Sequence, residues 1–422
     1  MKTLKKQNIF TVITKFLVII LPFYVIIKVF FEYKLWIPKF GFFIKEFLII
    51  LLIASLIYEY YKQKKIPKIE LIDYLIIFYF AYWILITLIN WLWIKSILYW
   101  WRYDFILFLI FLIYKHWYIF LKIRTKQLLT LFVYSASISL FLSIFVKFRI
   151  WEDILLLFGF TDYISDWTYN GSIPTYHWLE NSWIRRFSGI LESPNAMWFF
   201  LILYSSIFLF LQKKKQEFYV FFMMSFLFIL LILTYSRSAI LGIFVAIWIL
   251  FLFNIKYIYK NFKKILIIWI LWIFFLGWIF WLLFQDNIKN IVLRTSSTKW
   301  HFNRMNIWIK RFANKPFWSW LWEAGPAYRS THSDLKPSKE VEEYYIPESW
   351  FIQQLIEGWV IYFLLFVSIL WFIIKKLFKT SYVTFWLFIA ILVMNLFLHV
   401  FEATYLSILL FIFIWLFYEH AG

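Results

Sequence analysis

The sequence predicts an all-α polytopic membrane protein of about 12 transmembrane helices, with both termini cytoplasmic and one large outer loop carrying short helices. Three observations predict it. The chain of 422 residues is 64% hydrophobic, against about 45–50% in an ordinary soluble domain. Charged residues make up 16%, too few to coat a water-exposed surface of this size. Lysine and arginine are also shared unevenly between the two sets of connections that separate the apolar stretches.

Apolar stretches long enough to span hydrocarbon fall at 9–31, 40–58, 71–90, 105–121, 127–147, 193–210, 218–235, 238–254, 265–285, 351–373, 381–399 and 404–418. The first is too long for a signal-peptide core and no small-residue cleavage site follows it, so it reads as a retained helix. The last is the shortest and the weakest of the set. With the N-terminus inside, the inner connections include Lys62, Lys64, Lys65 and Lys68, and the run Lys213, Lys214 and Lys215. The inner segments together hold roughly 20 Lys/Arg and the outer ones apart from 286–350 about eight, which is the positive-inside asymmetry. That asymmetry accounts for most of the net charge of +20. No nucleic-acid partner is implied, because such a partner needs a basic patch on a soluble face.

Two outer segments are long, 148–192 and 286–350, within a chain read as one integral membrane domain over 1–422. In the larger one the stretch Arg304–Ala313 reads as helix, and Asn314-Lys315-Pro316 stops it. The chain has no cysteine, so no disulfide or thiolate metal site is possible. Nucleotide-binding glycine loops and zinc-hydrolase motifs are absent too, and no metal or cofactor is implied.

The chemistry-bearing residues collect on the outer side. Arg185, Arg186, Gly189, Glu192, Ser193, Pro194 and Asn195 stand before the sixth span. There Ser193 can cap a helix that starts on Pro194, and a helix start beside two arginines favours an anion. The plain alternative is a helix start with anchoring charges. Thr234-Tyr235-Ser236-Arg237-Ser238-Ala239 is a polar turn between two spans, with Arg237 at its tip. In the large loop His301 and Arg304 are three apart and share a helix face, as a proton shuttle and a phosphate holder or as a solvated helix end. Glu348 stands at the start of the tenth span, followed by Gln353, Gln354, Glu357 and Gly358. Low dielectric there could fit it for base work, and a capping carboxylate is the alternative.

In this order the motifs resemble the O-antigen ligase and O-antigen polymerase superfamily, bacterial membrane glycosyltransferases of the GT-C type with about a dozen spans. The resemblance covers roughly 100–420 and rests on four groups: Arg185/Arg186 with Gly189, Pro194 and Asn195; Ser236-Arg237-Ser238-Ala239; His301 ahead of Pro316; and Glu348 to Gly358. It implies a metal-independent, inverting enzyme that takes glycan from an undecaprenyl-pyrophosphate-linked donor. The acceptor is a glycan or a lipid-linked sugar, and membrane lipids surround the site. Arg185 or Arg186 and Arg304 would bind pyrophosphate, with Arg237 beside them. Ligases of the family carry His where Glu348 stands and Arg where His301 stands. That tilts the reading towards a polymerase or a generic member and leaves open whether Glu348 or His301 is the base. The alternative is a lipid-linked-oligosaccharide flippase or other transporter, for which Lys28, Lys45, Glu46 and Lys115 are charged candidates inside spans.

Tryptophan and glycine are out of proportion, at 27 and 9 residues. Membrane helices normally carry more glycine than soluble ones. Family glycine positions read here as Trp318, Trp320 and Trp322, and Trp198, Trp300 and Trp359 stand at similar places. Together the two residues make up about 8.5% of the chain, near the usual glycine level of about 7%. The reading that follows is that many of these tryptophans are glycines encoded by UGA, which some bacterial lineages translate as glycine. Aromatic belts at the two interfaces are the alternative. The coding DNA should carry UGA at 318, 320 and 322, and UGG at those codons defeats the reading.

Overall fold

The computed structural model describes residues 8–37, 40–64, 68–89, 101–117, 120, 123–148, 150, 152–161, 173–174, 177–179, 184–212, 217–245, 295–314, 347 and 349–419. The described chain is mostly helical. Five of its helices are long and apolar enough to cross a membrane: Ile9–Lys34 (α1), Leu71–Ile89 (α3), Thr125–Lys147 (α5), Pro194–Leu211 (α7) and Trp350–Thr380 (α10). The others are Phe40–Gln63 (α2), Ile106–Trp117 (α4), Glu152–Leu157 (α6), Glu217–Ile232 (α8), Thr295–Asn314 (α9), Tyr382–Asn395 (α11) and Thr404–Glu419 (α12). The ninth expected span, most of the eighth and most of the large outer loop lie outside the described residues.

The shortest expected span is the centre of the bundle. Residues 403–416 of the segment leading into and forming α12 are all buried, and α12 packs on α4, α7 and α10. A helix that is apolar all round is a core helix or a membrane span, and burial on every face puts this one at the centre of the described bundle.

The first helix is built in pieces. Asn8 caps it, its Oδ1 accepting from the Thr11 amide at 3.1 Å. Pro22 interrupts the ladder, and a 3-10 turn runs over Leu21–Phe23. A proline in a helix interior frees carbonyls, and apolar surroundings give them no water. Serines on α5 bond to carbonyls at the break: Ser135 donates to the Ile19 carbonyl at 2.6 Å and Ser139 to the Pro22 carbonyl at 3.0 Å. These serines are four apart, on one face of α5. Ser143 continues the row, accepting from the Ile190 amide at 3.2 Å.

Inside α10 one residue leaves helical geometry. Trp359 has φ 62 and ψ −175, a region that essentially only glycine occupies. This is one of the positions where the glycine reading of tryptophan falls. Trp198, in α7, is fully buried with an indole nitrogen that has no hydrogen-bond partner, whereas buried indoles normally find one. Two substitutions at 359 separate backbone strain from loss of the ring. Trp359→Gly should be more stable than Trp359→Ala by about 1–3 kcal/mol. Helix propensity alone gives the reverse order by about 0.5–1 kcal/mol, so a more stable alanine variant in thermal denaturation would defeat the assignment.

Candidate functional site

The site forms at the end of the bundle where α5 stops and α7, α10 and α12 begin. Two short strands, His177–Trp178 (β1) and Arg185–Arg186 (β2), pair antiparallel, with His177 opposite Arg186 and Trp178 opposite Arg185. The Arg185 guanidinium lies 5.2 Å from the centroid of the Trp178 ring, a cation–π contact. Lys147, the last residue of α5, donates through Nζ to the Arg185 carbonyl.

From β2 the chain crosses onto the turn after α8. The Phe187 amide donates to the Leu233 carbonyl at 2.8 Å, and Arg186 Nε donates to the Thr234 carbonyl at 2.9 Å. Gly189 has φ +58, and a Cβ built there would lie 2.2 Å from Ser143 Cβ. Only glycine fits both the left-handed backbone and the close approach to α5. The chain then enters α7 as expected: Ser193 Oγ accepts from the Ala196 amide at 3.1 Å, with Pro194 in the first turn. Ser236 Oγ donates to Asn195 Oδ1 at 3.0 Å. Thus Arg185–Asn195 and Thr234–Ala239, expected as separate motifs, are one hydrogen-bonded unit. A shallow cleft in it is lined by Lys147, Arg185, Arg186, Ser188 and Gly189. Arg237 is half-buried at the start of the next helix.

Behind this unit lies a buried ionic group. Arg102 Nε stands 3.5 Å from Glu46 Oε1, and Lys45 Nζ 3.6 Å from the same oxygen. Lys45 also donates to the Thr404 hydroxyl at the head of α12. Burial raises the Glu192 carboxyl above its usual range, while the charges of Lys28, Lys45 and Arg102 oppose that rise. The charge of Glu192 therefore links the arginine motif to α1, α2 and the turn before α4.

A third group joins that turn to α10. Gln354 Nε2 donates to Asp104 Oδ1 at 2.5 Å, and Gln354 Oε1 accepts from the Tyr79 hydroxyl at 3.0 Å. Burial pushes the Asp104 carboxyl up to about 7. On the other side of α10, Ile352 and Ile356 pack with Trp308 and Phe312 of α9. Arg304 is buried one turn before Trp308, and His301 is half-buried on the same face. The described contacts place α9 against α10, and Glu348 lies outside the described residues. Among the described residues no group of three or more His, Asp or Glu is arranged to hold a metal ion.

Sequence reasoning gave Asp104, Gln353 and Gln354 no role and placed Lys45 and Glu46 with transport. A usable signal was present in Arg102 and Asp104, two charges flanking an apolar run, and in the i, i+4 spacing of Gln353 and Glu357. No protein-family model, curated protein or solved structure matches the chain.

The ribbon carries its own pH dependence. Burial, and then the nearby Arg186 charge, hold His177 down to about 4, against an ordinary 6.5. The unfolded chain takes up the proton first, so stability is full above pH 6.5 and falls as pH drops towards 4. Melting of the purified protein should show this loss, and His177→Gln should flatten that part of the profile. An unchanged acid limb in the variant would assign the loss elsewhere.

Proposed function

We propose that the chain is a membrane glycosyltransferase of the O-antigen ligase and polymerase kind. In this reading its roughly dozen spans sit in the cytoplasmic membrane with both termini inside. It transfers or polymerises glycan at the outer face, from an undecaprenyl-pyrophosphate-linked donor to a glycan or lipid-linked acceptor. The observation that carries the reading is the single unit made by Arg185, Arg186 and the Ser236–Arg237 turn over the capped start of α7. Guanidinium forks suit phosphate oxygens, and a helix start adds amide donors.

The step proposed is a displacement at the anomeric carbon of the donor sugar. The acceptor hydroxyl oxygen bonds to that carbon, the carbon–oxygen bond to pyrophosphate breaks, and the configuration inverts. The acceptor proton passes to a base, Glu348 or His301, and the lipid pyrophosphate departs with the electron pair. Negative charge grows on the leaving group, so fixed cations there lower the barrier. Arg185, Arg186, Arg237 and Arg304 are the residues assigned to that charge.

A transporter of lipid-linked oligosaccharide is the second reading, favoured by the buried charges of Lys45, Glu46 and Arg102 among the helices, since ionisable groups inside spans often mark transport paths. Purified protein in liposomes separates the two. Transfer of glycan between lipid carriers supports the first reading, and translocation without transfer supports the second. For the enzyme reading, Arg186→Ala and Arg304→Ala should each lower polymer or conjugate in cells by at least about 100-fold, as loss of a charge-stabilising donor does. Normal polymer at normal protein level in either variant would sink the assignment.

A further inference from the structure

The first two turns of α10 bury three polar side chains: Gln353 and Gln354 are fully buried and Glu357 is 1% exposed. The Gln354 amide is matched at both ends, with Tyr79 donating to its oxygen and its nitrogen donating to Asp104. Gln353 and Glu357 are matched at one end each. Gln353 Nε2 donates to Glu357 Oε1 at 3.1 Å, across one helical turn. That leaves Gln353 Oε1 and Glu357 Oε2, both buried and both without a hydrogen-bond partner.

The two orphan atoms are complementary. Each is an acceptor, they belong to groups already joined on their other side, and what the pair lacks is a hydrogen. A proton on Glu357 Oε2, donated to Gln353 Oε1, would close a ring of two hydrogen bonds. The acid O–H donates to the amide carbonyl, and the amide N–H donates to the acid carbonyl. Without that proton, two lone-pair oxygens and a charge stay buried unmatched, which is among the costliest arrangements in an apolar interior.

The surroundings point the same way. The charged groups acting on Glu357 include Asp104, from the turn before α4, and Glu402, from the segment before α12. Both are acidic. Glu402 also has His399 at 3.7 Å. From α3 and α10 the phenols of Tyr79 and Tyr362 stack beside the group, with ring centroids 4.2 Å apart. A hard cation such as calcium seeks six or more oxygens, and the pair offers two uncommitted ones. A bridging water would satisfy both oxygens yet leave the carboxylate charge beside Asp104.

We propose that Gln353 and Glu357 form a proton-binding site in which Glu357 is held as a neutral carboxylic acid, hydrogen-bonded in a ring with the Gln353 amide. The site is independent of the glycosyl-transfer reading. Its occupant is one proton, and its loss would add a negative charge to the Asp104–Glu402 group and open the ring on the face of α10 that meets α3.

Infrared difference spectroscopy on the full chain in lipid nanodiscs at pH 7 tests this directly. Wild type minus Glu357→Gln should show the carbonyl stretch of a protonated carboxylic acid, and a difference confined to carboxylate bands overturns the proposal. The glutamine variant supplies permanently the hydrogen that wild type takes from solution, so it should melt at or above wild type, with Glu357→Ala well below both. A Glu357→Gln protein as unstable as Glu357→Ala also overturns it. Should Glu357→Gln fail to fold, Gln353→Met keeps the carboxyl and removes its ring partner. The protonated-acid band should then shift in frequency, and an unmoved band is the adverse result.

Discussion

An apolar bundle offers no water to a stranded polar group, and the described structure is organised by that constraint. The serine row on α5 is its clearest expression. Pro22 breaks the ladder of α1, and Ser135 and Ser139 donate to carbonyls at the break. Ser143, next in the row, holds the Ile190 amide. A repair inside the bundle is therefore continuous with the segment that carries Arg185 and Arg186. The same requirement fixes Gly189, whose missing side chain lets that segment approach Ser143.

Charge obeys the same rule at higher stakes. Lys45 and Glu46, neighbours on α2, meet Arg102 from the turn before α4, both cations within ion-pair distance of Glu46 Oε1. Buried ions are tolerable when they are paired and further hydrogen-bonded, and the Thr404 hydroxyl supplies such a bond to Lys45. Breaking one member would strand the others. The arginine unit, the ionic group and the Asp104–Gln354 contact occupy neighbouring positions at one end of the helices. A ligand arriving there would meet side chains already held by one another, which lowers the reorganisation needed on binding.

Much of the fold was legible because it depends on local chemistry. Apolar length placed α1, α3, α5, α7 and α10, and Ser193-Pro194 marked the start of α7. The polar turn at Thr234–Ala239 was readable for the same reason. Pairings across the chain were not. Asp104 and Gln354 are 250 residues apart, and no periodicity connects them. The antiparallel pairing of His177–Trp178 with Arg185–Arg186 has no strand-length pattern, because two residues cannot show alternation. The union of the two arginine-bearing motifs depends on where α8 delivers its last carbonyls, which is a property of packing. Glu348 was singled out by position, and it lies beyond the described residues.

The break at Trp359 has a mechanical consequence. A continuous helix transmits rotation from end to end, because each peptide is locked to the one four residues away. One residue outside helical geometry removes that lock. The short rod 350–358 therefore turns away from the rod 360–380 and packs back on it, Trp350 and Phe351 against the Phe366 ring. It carries Gln353, Gln354 and Glu357, and its Ile352 and Ile356 make the contacts with α9. The corner at Trp359 thus fixes where Gln354 meets Tyr79 and Asp104.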